Sequence, residues 1–242
     1  MSPGRHALIA IGVWAVLSAI GIALIVGVEI MPAIASKEAE IENAAFVLLT
    51  AVSIPVLMFV VVGMAYTTIF FRARDGEDDA PAIHGSSRIQ AGWLVLTTAM
   101  VIGLFAYGAI GLVEIRGAQE ADFEVMVHGK QWEWSFDYPE ARVTSNELHL
   151  AVGQRAHLII TSNDAIHSLW LPALGLKQDA VPGRPTEAWV TATEEGTYSL
   201  MCAELCGFGH TIMVTSATVS SASELQGWLA QQEPMKEEPP PS

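Results

Sequence analysis

Cys202, Cys206, His210 and Met213 stand within twelve residues, in the stretch Met201-Cys202-Ala203-Glu204-Leu205-Cys206-Gly207-Phe208-Gly209-His210-Thr211-Ile212-Met213. The spacing is C-x3-C-x3-H-x2-M. Thiolate and thioether sulfur are soft donors and imidazole suits copper, so the set points to copper rather than to calcium or magnesium. Gly207 and Gly209 let a loop fold tightly around a metal. One cysteine suffices for a mononuclear site, whereas a second cysteine four residues earlier suggests two coppers bridged by two thiolates. These are the only cysteines in the chain. A disulfide between them is one alternative in an oxidising compartment. Zinc is another, for which methionine is a poor ligand. A further ligand must come from elsewhere, and His167 in Asn163-Asp164-Ala165-Ile166-His167-Ser168-Leu169-Trp170 is the candidate, at the start of an expected strand. His6, His84, His128, His149 and His157 lack ligand spacing and are assigned structural or solvated roles.

The elements that must carry this loop fall into two kinds. With 51% hydrophobic and 16% charged residues, the chain is too apolar for an ordinary soluble domain. Three charge-free apolar runs, Ala7–Val28, Ala44–Phe71 and Ala91–Val113, are long enough to cross a bilayer. Arg5 before the first run and Arg72, Arg74 and Arg88 between the second and third place those ends in the cytoplasm. Everything after Val113 then lies outside. The first run has a second reading, as a signal peptide with Ala33-Ile34-Ala35 before Ser36 as its cleavage site. From about Asp122 short β-rich segments follow one another: Phe123–His128, Gln131–Tyr138, Glu147–Ala151, Ala156–Thr161, Ser168–Leu171, Ala188–Thr193, Thr197–Met201 and Thr211–Val219. Their spacing predicts a β-sandwich or barrel. Ala222–Gln231 reads as a short helix, and the charged, Pro-rich end as disordered. In Gln131–Pro139, Trp134, Phe136 and Tyr138 alternate with polar residues, as on a half-buried strand, and Trp132 is free to be a surface residue. The formal charge of −14 excludes nucleic acid as a partner. Beyond Glu114, 17 Asp/Glu face 7 Lys/Arg, so the outer part favours basic partners.

Taken together, the chain from about Ala44 to Gln231 resembles subunit II of cytochrome c oxidase. The resemblance rests on the copper-loop pattern, the Gln131-Trp132 pair, the Asp164–Trp170 segment, Leu176-Lys177-Gln178-Asp179-Ala180-Val181-Pro182-Gly183-Arg184, and Ile83-His84-Gly85 before Trp93. It implies a membrane-anchored all-β fold: a transmembrane helical hairpin followed by a cupredoxin-like β-barrel. The expected division is 1–43 for an N-terminal helix or signal peptide with its outer loop, 44–116 for the hairpin, 117–231 for the copper domain and 232–242 for the tail. It implies a dinuclear CuA centre in which Cys202 and Cys206 bridge, His167 and His210 each bind one copper, and Met213 and the Glu204 carbonyl complete the set. The Glu204 side chain would reach a magnesium ion at the interface with subunit I. Trp132 would accept the electron from cytochrome c, with Asp137, Glu140, Asp164 and Asp179 as docking charges. The implied setting is a bacterial-type inner membrane with the copper domain on the periplasmic side. The implied activity is that of an oxidase complex whose oxygen-reducing site lies in subunit I.

The chain departs from the family pattern in two places besides the added N-terminal run. Gln90 stands where a glutamate often marks a proton channel, and an amide cannot take up and release a proton as a carboxylate can. Lys130 stands where a histidine commonly precedes Gln-Trp. Gln90 keeps a nitric oxide reductase subunit as an alternative. A quinol oxidase subunit, which lacks the copper ligands, and a membrane-tethered copper carrier are weaker ones.

Overall fold

A computed structural model describes residues 2–28, 33–72, 85–117 and 120–232. The proposed tail, apart from Gln232, and Ile83-His84 lie outside the described residues. Three helices, α1 (Pro3–Gly27), α2 (Lys37–Phe70) and α3 (Ser87–Arg116), are long and apolar enough to cross a membrane. The chain divides into two compact units, one of Met1–Ile30 with Ala44–Ile110, the other of Met31–Asn43 with Gly111–Ser242.

In the first unit α1 packs on α2 through specific contacts. The Trp14 indole N–H donates to the Pro55 carbonyl at 2.8 Å. A polar group in an apolar setting needs such a partner. The His6 ring and the Tyr66 hydroxyl lie 2.9 Å apart. Gly21 meets Ile54 so closely that a Cβ there would stand 2.8 Å from its side chain.

The second unit is a sandwich of two five-stranded sheets, the cupredoxin-like domain expected from the sequence. Its strands are β1 (Phe123–Lys130), β2 (Glu133–Tyr138), β3 (Val143–Ser145), β4 (Leu148–Ala151), β5 (Arg155–Ser162), β6 (His167–Leu171), β7 (Leu176–Ala180), β8 (Thr186–Thr191), β9 (Gly196–Cys202) and β10 (Val214–Ser220), with helix α4 (Ala222–Leu229) at the end. One sheet runs β3-β2-β1-β5-β8 and the other β4-β10-β9-β6-β7. Period-two alternation buries Val125 and Val127 of β1, Leu158 and Ile160 of β5, and Trp134, Phe136 and Tyr138 of β2. These meet Leu148, Leu150, Leu169, Leu171 and Leu200 from the facing sheet in one core. The aromatic face read from β2 is therefore a core face.

Three expectations are corrected. Gln131 and Trp132 are not in a strand. Lys130 pairs with Glu133, so the two residues form the turn of the β1–β2 hairpin, which carries Trp132 to the surface. Thr211 begins no strand either, because His210–Ile212 is a single 3-10 turn before β10. The strands β3 and β7 were not anticipated.

The second unit also includes a segment far away in sequence. Ala35 N–H donates to the Ala173 carbonyl and the Ala35 carbonyl accepts from Thr193 N–H, each at 2.8 Å. Ser36 Oγ donates to the Leu174 carbonyl at 2.7 Å. Glu38 accepts from Thr191 N–H at 2.8 Å. Ala35, Ser36 and Glu38 are buried, so the first turn of α2 and the residues before it are an integral edge of the β domain. Gly175, at φ +61°, lets the chain pass Ala39: a Cβ there would lie 2.7 Å from the Ala39 Cα.

Candidate metal centre

Sheet topology places the donors. β10, β9 and β6 are adjacent antiparallel neighbours, and Leu169 pairs with Cys202. The end of β9, the start of β10 and the start of β6 therefore meet at one corner. Cys202 N–H donates to the Met213 carbonyl (3.0 Å), and Ala203 N–H to that of Ser168 (2.9 Å). These bonds close the loop on itself and fasten it to β6.

Within that corner the side chains converge. The sulfurs of Cys202 and Cys206 are 3.8 Å apart, and both thiols are free. His167 Nδ1 lies 3.9 Å from Cys202 Sγ, and the Glu204 carbonyl 3.3 Å from it. His210 Nδ1 lies 3.6 Å and Met213 Sδ 3.9 Å from Cys206 Sγ. The donor atoms of His167, Cys202 and Cys206 all fall within 4.8 Å of one another. His167, Cys202, Cys206 and Met213 are buried. Two soft sulfurs and an imidazole at this spacing form a donor set suited to copper. Burial, with the neighbouring Cys202 thiol adding to it, pushes the Cys206 thiol up to about 11. Without a metal the pocket thus favours the protonated thiol, and metal binding must displace that proton.

The surroundings orient the donors. His167 Nε2 lies 2.9 Å from Asp164 Oδ1. Burial works to raise the Asp164 pKa, but the Gln131 N–H, the His167 ring and the Ala165 N–H outweigh it and hold the carboxyl at about 2. Gly129 makes room for the imidazole, since a Cβ there would stand 3.1 Å from His167 Cδ2. Trp132, 38% exposed, lies over the glycines of the loop: a Cβ on Gly209 would be 2.3 Å from its ring. Gln131 Nε2 donates to the Cys206 carbonyl at 2.7 Å.

Four acidic residues were expected as docking charges. Asp137 lies 3.2 Å from the His128 ring and accepts from the Thr144 hydroxyl at 2.7 Å. Asp164 faces His167. Glu140, Asp179 and the Glu204 side chain are exposed. The loop also exposes Leu205, Phe208 and Ile212, Phe208 completely. Sequence reasoning assigned no role to Gly129 or Gln131. An Asp three residues before a candidate His was the available signal for Asp164.

A family model described as "Cytochrome C oxidase subunit II, periplasmic domain" matches residues 142–219, which hold the whole loop and His167. The cytochrome c oxidase subunit 2 of Thermostichus vulcanus is 34% identical over 190 residues, covering 74% of this chain and 58% of that protein. The periplasmic domain of subunit II of cytochrome oxidase from Bradyrhizobium japonicum is 31% identical over 47% of this chain and 95% of its own, with a TM-score of 0.46. The chain belongs to the cytochrome c oxidase subunit II family. The cytochrome c oxidase subunit 2 of Synechocystis is 27% identical, covering 85% of this chain and 76% of that protein. The chain thus spans somewhat over half the length of the Thermostichus relative. Membership joins the buried His167–Cys202–Cys206 group to three candidate membrane helices in one chain.

Proposed function

We propose that the chain is the electron-input subunit of a respiratory haem–copper oxidase, taking electrons from cytochrome c at a dinuclear CuA centre. It hands them to the haem of subunit I, where oxygen is reduced. The observation that carries this reading is the pair of free thiols 3.8 Å apart with an imidazole nitrogen beside each. Such a pair fits two metals better than one, because each sulfur has its own imidazole partner.

In this reading Cys202, Cys206, His167, His210, Met213 and the Glu204 carbonyl would hold the coppers, the two thiolates and two imidazoles serving as the principal donors. Bound copper supplies a one-electron store. The chain's own residues hold the donors, exclude water through the buried Met213 and Cys206, and present Trp132 as the aromatic surface where the electron arrives. The exposed Glu204 side chain is suited to a magnesium ion shared with subunit I. The acidic outer domain favours a basic carrier. The three apolar helices anchor the chain in the inner membrane, with the β domain on the periplasmic side.

The test is copper content and electron spin resonance of the full chain after loading. Two coppers per chain and a mixed-valence signal shared over both metals are expected. One copper per chain, or a mononuclear blue-copper spectrum, overturns the assignment. The haem content of the co-purifying large subunit separates oxygen reduction from the nitric oxide reduction that Gln90 keeps open.

A further inference from the structure

We propose that the second unit binds the headgroup of a zwitterionic phospholipid with a primary amine, of the phosphatidylethanolamine class. The site is a cavity lined by the first turns of α2, the last turn of α3 and one edge of the sandwich. It rests on the apolar helices lying in a bilayer and not on the copper reading.

The cavity holds about 470 Å3, within the range of small-ligand sites. It lies beside β7 and β8, which are edge strands of the two sheets. Sequence spacing puts its lining residues on single faces. Glu38 and Glu42 are one turn apart on α2, and Leu112 and Arg116 one turn apart on α3. Glu187 and Trp189 are two residues apart on β8 and so share a face. Trp170 of β6 pairs directly with Lys177 of β7. Gly175 leaves room for the Glu42 carboxylate, since a Cβ there would stand 3.0 Å from its Oε2. All of these residues belong to the second unit.

The lining selects the occupant. Leu112 and Ile115 end an apolar span, which puts the cavity at the level of lipid headgroups. Tryptophan is enriched at that level, and Trp170 and Trp189 both face the cavity. Trp189 is held in place by stacking on the His157 ring, with centroids 4.8 Å apart and 5° between the planes. Arg116 and Lys177 are exposed cations with no ion pair among the described residues. Such a pair suits a phosphate. Of the carboxylates, Glu38 is buried and engaged with the Thr191 N–H. Glu42 and Glu187 are exposed, and Glu187 lies 3.9 Å from His157 Nε2, too far for a hydrogen bond. The cavity thus offers both signs of charge side by side, which matches a zwitterion better than an anionic lipid. A primary ammonium brings N–H donors to the carboxylates, and a quaternary one has none.

The experiment uses the full chain with its partner subunits, stripped of lipid in detergent. The complex is offered equal amounts of phosphatidylethanolamine, phosphatidylcholine and phosphatidylglycerol, and retained lipid is counted by native mass spectrometry. Wild type is expected to retain phosphatidylethanolamine in preference to the other two. Arg116→Gln with Lys177→Gln should cut that retention about tenfold, the size expected for lost charge-assisted hydrogen bonds. Glu42→Gln with Glu187→Gln should instead turn the preference toward phosphatidylglycerol. All four positions are exposed, so these replacements should leave the urea midpoint unchanged. Equal retention of the three lipids, or equal retention in wild type and both double variants, overturns the site. Soluble phosphoethanolamine at the same concentration should not release the lipid. Release by it would assign the cavity to a free zwitterion and overturn the lipid reading. If Arg116→Gln with Lys177→Gln loosens the large subunit while the lipid count stays the same, the cavity is a subunit contact and the proposal fails. None of these outcomes depends on copper content, so failure here and failure of the copper reading are told apart.

Discussion

The copper loop and the segment around Ala35 are both fastened to the same β domain, but by opposite means. In the loop, donor side chains between Cys202 and Met213 meet one another over very short sequence distances, and His167 joins them from the neighbouring strand. Around Ala35, backbone groups and small side chains bond to residues more than 130 positions away. The first arrangement concentrates chemistry and leaves the fold to its neighbours. The second contributes no chemistry and completes the fold. A substitution of a donor in the loop should therefore change metal properties with little change in folding, and one around Ala35 should do the reverse.

The largest expected effect is at the loop. Cys202→Ser removes one of the two thiolates, and the mixed-valence signal should vanish. Metal-free Cys202→Ser should unfold in urea near the wild-type midpoint, since a serine fills almost the same space. A retained wild-type spectrum would rule out a bridging thiolate. A collapsed fold in the metal-free state would break the contrast between the two regions.

Gly209→Ala comes next and probes the same corner without touching a donor. The added methyl would lie 2.3 Å from the Trp132 ring, which must move. Displacing a reacting group by about an ångström can cost on the order of 100-fold in rate, so electron input should fall by about 10- to 100-fold. Overpacking should cost about 1–3 kcal/mol at most. Carrier oxidation kinetics alongside the copper spectrum provide the check. An unchanged rate would remove Trp132 from the route.

Glu38→Ala tests the other region. It leaves the buried Thr191 N–H without its 2.8 Å acceptor. An orphaned buried donor costs about 1–3 kcal/mol. Urea unfolding of the full chain, followed by tryptophan fluorescence, should show a loss of this size while the copper spectrum is unchanged. A variant with wild-type stability would show that the segment merely rests on the domain.

The same contrast explains what was legible in the sequence. The loop could be read because ligand chemistry demands particular residue types at particular spacing, and no other residues supply thiolate, imidazole and thioether. The apolar runs and most strands could be read from length and period. The Ala35 contacts could not, because backbone N–H and C=O groups are common to nearly every residue, and Ala33-Ile34-Ala35 equally suits a cleavage site. β3 is three residues long, and β7 carries Lys177, Gln178 and Asp179 at a sheet edge, so neither has an apolar rhythm. Gln131 and Trp132 are not turn formers, and the alternating aromatics after them extended the apparent strand backward. Asp164 is exposed, as its charge suggests, and only its bond to His167 is illegible, because that bond depends on how the β5–β6 connection folds.

The smallest effect is expected away from both regions, and it serves as a control. His149 of β4 stacks on Trp228 of α4, with ring centroids 3.6 Å apart. Burial holds its pKa below the ordinary 6.5, against the opposing pull of Glu147. The folded domain therefore binds this proton less readily than the unfolded chain does. The stabilisation is fully present above pH 6.5 and is lost as pH falls below 6.5 toward the lower folded value. His149→Phe keeps an aromatic ring on Trp228 and removes the titration. Its urea midpoint should fall less steeply below pH 6.5 than that of wild type, with copper spectrum and Glu38-dependent stability both unaltered. If the two slopes coincide, the acid sensitivity of the domain must be sought in another group. If the copper spectrum moves as well, the end of the sandwich that carries α4 is coupled to the metal corner, and the division of labour between chemistry and fold fails there.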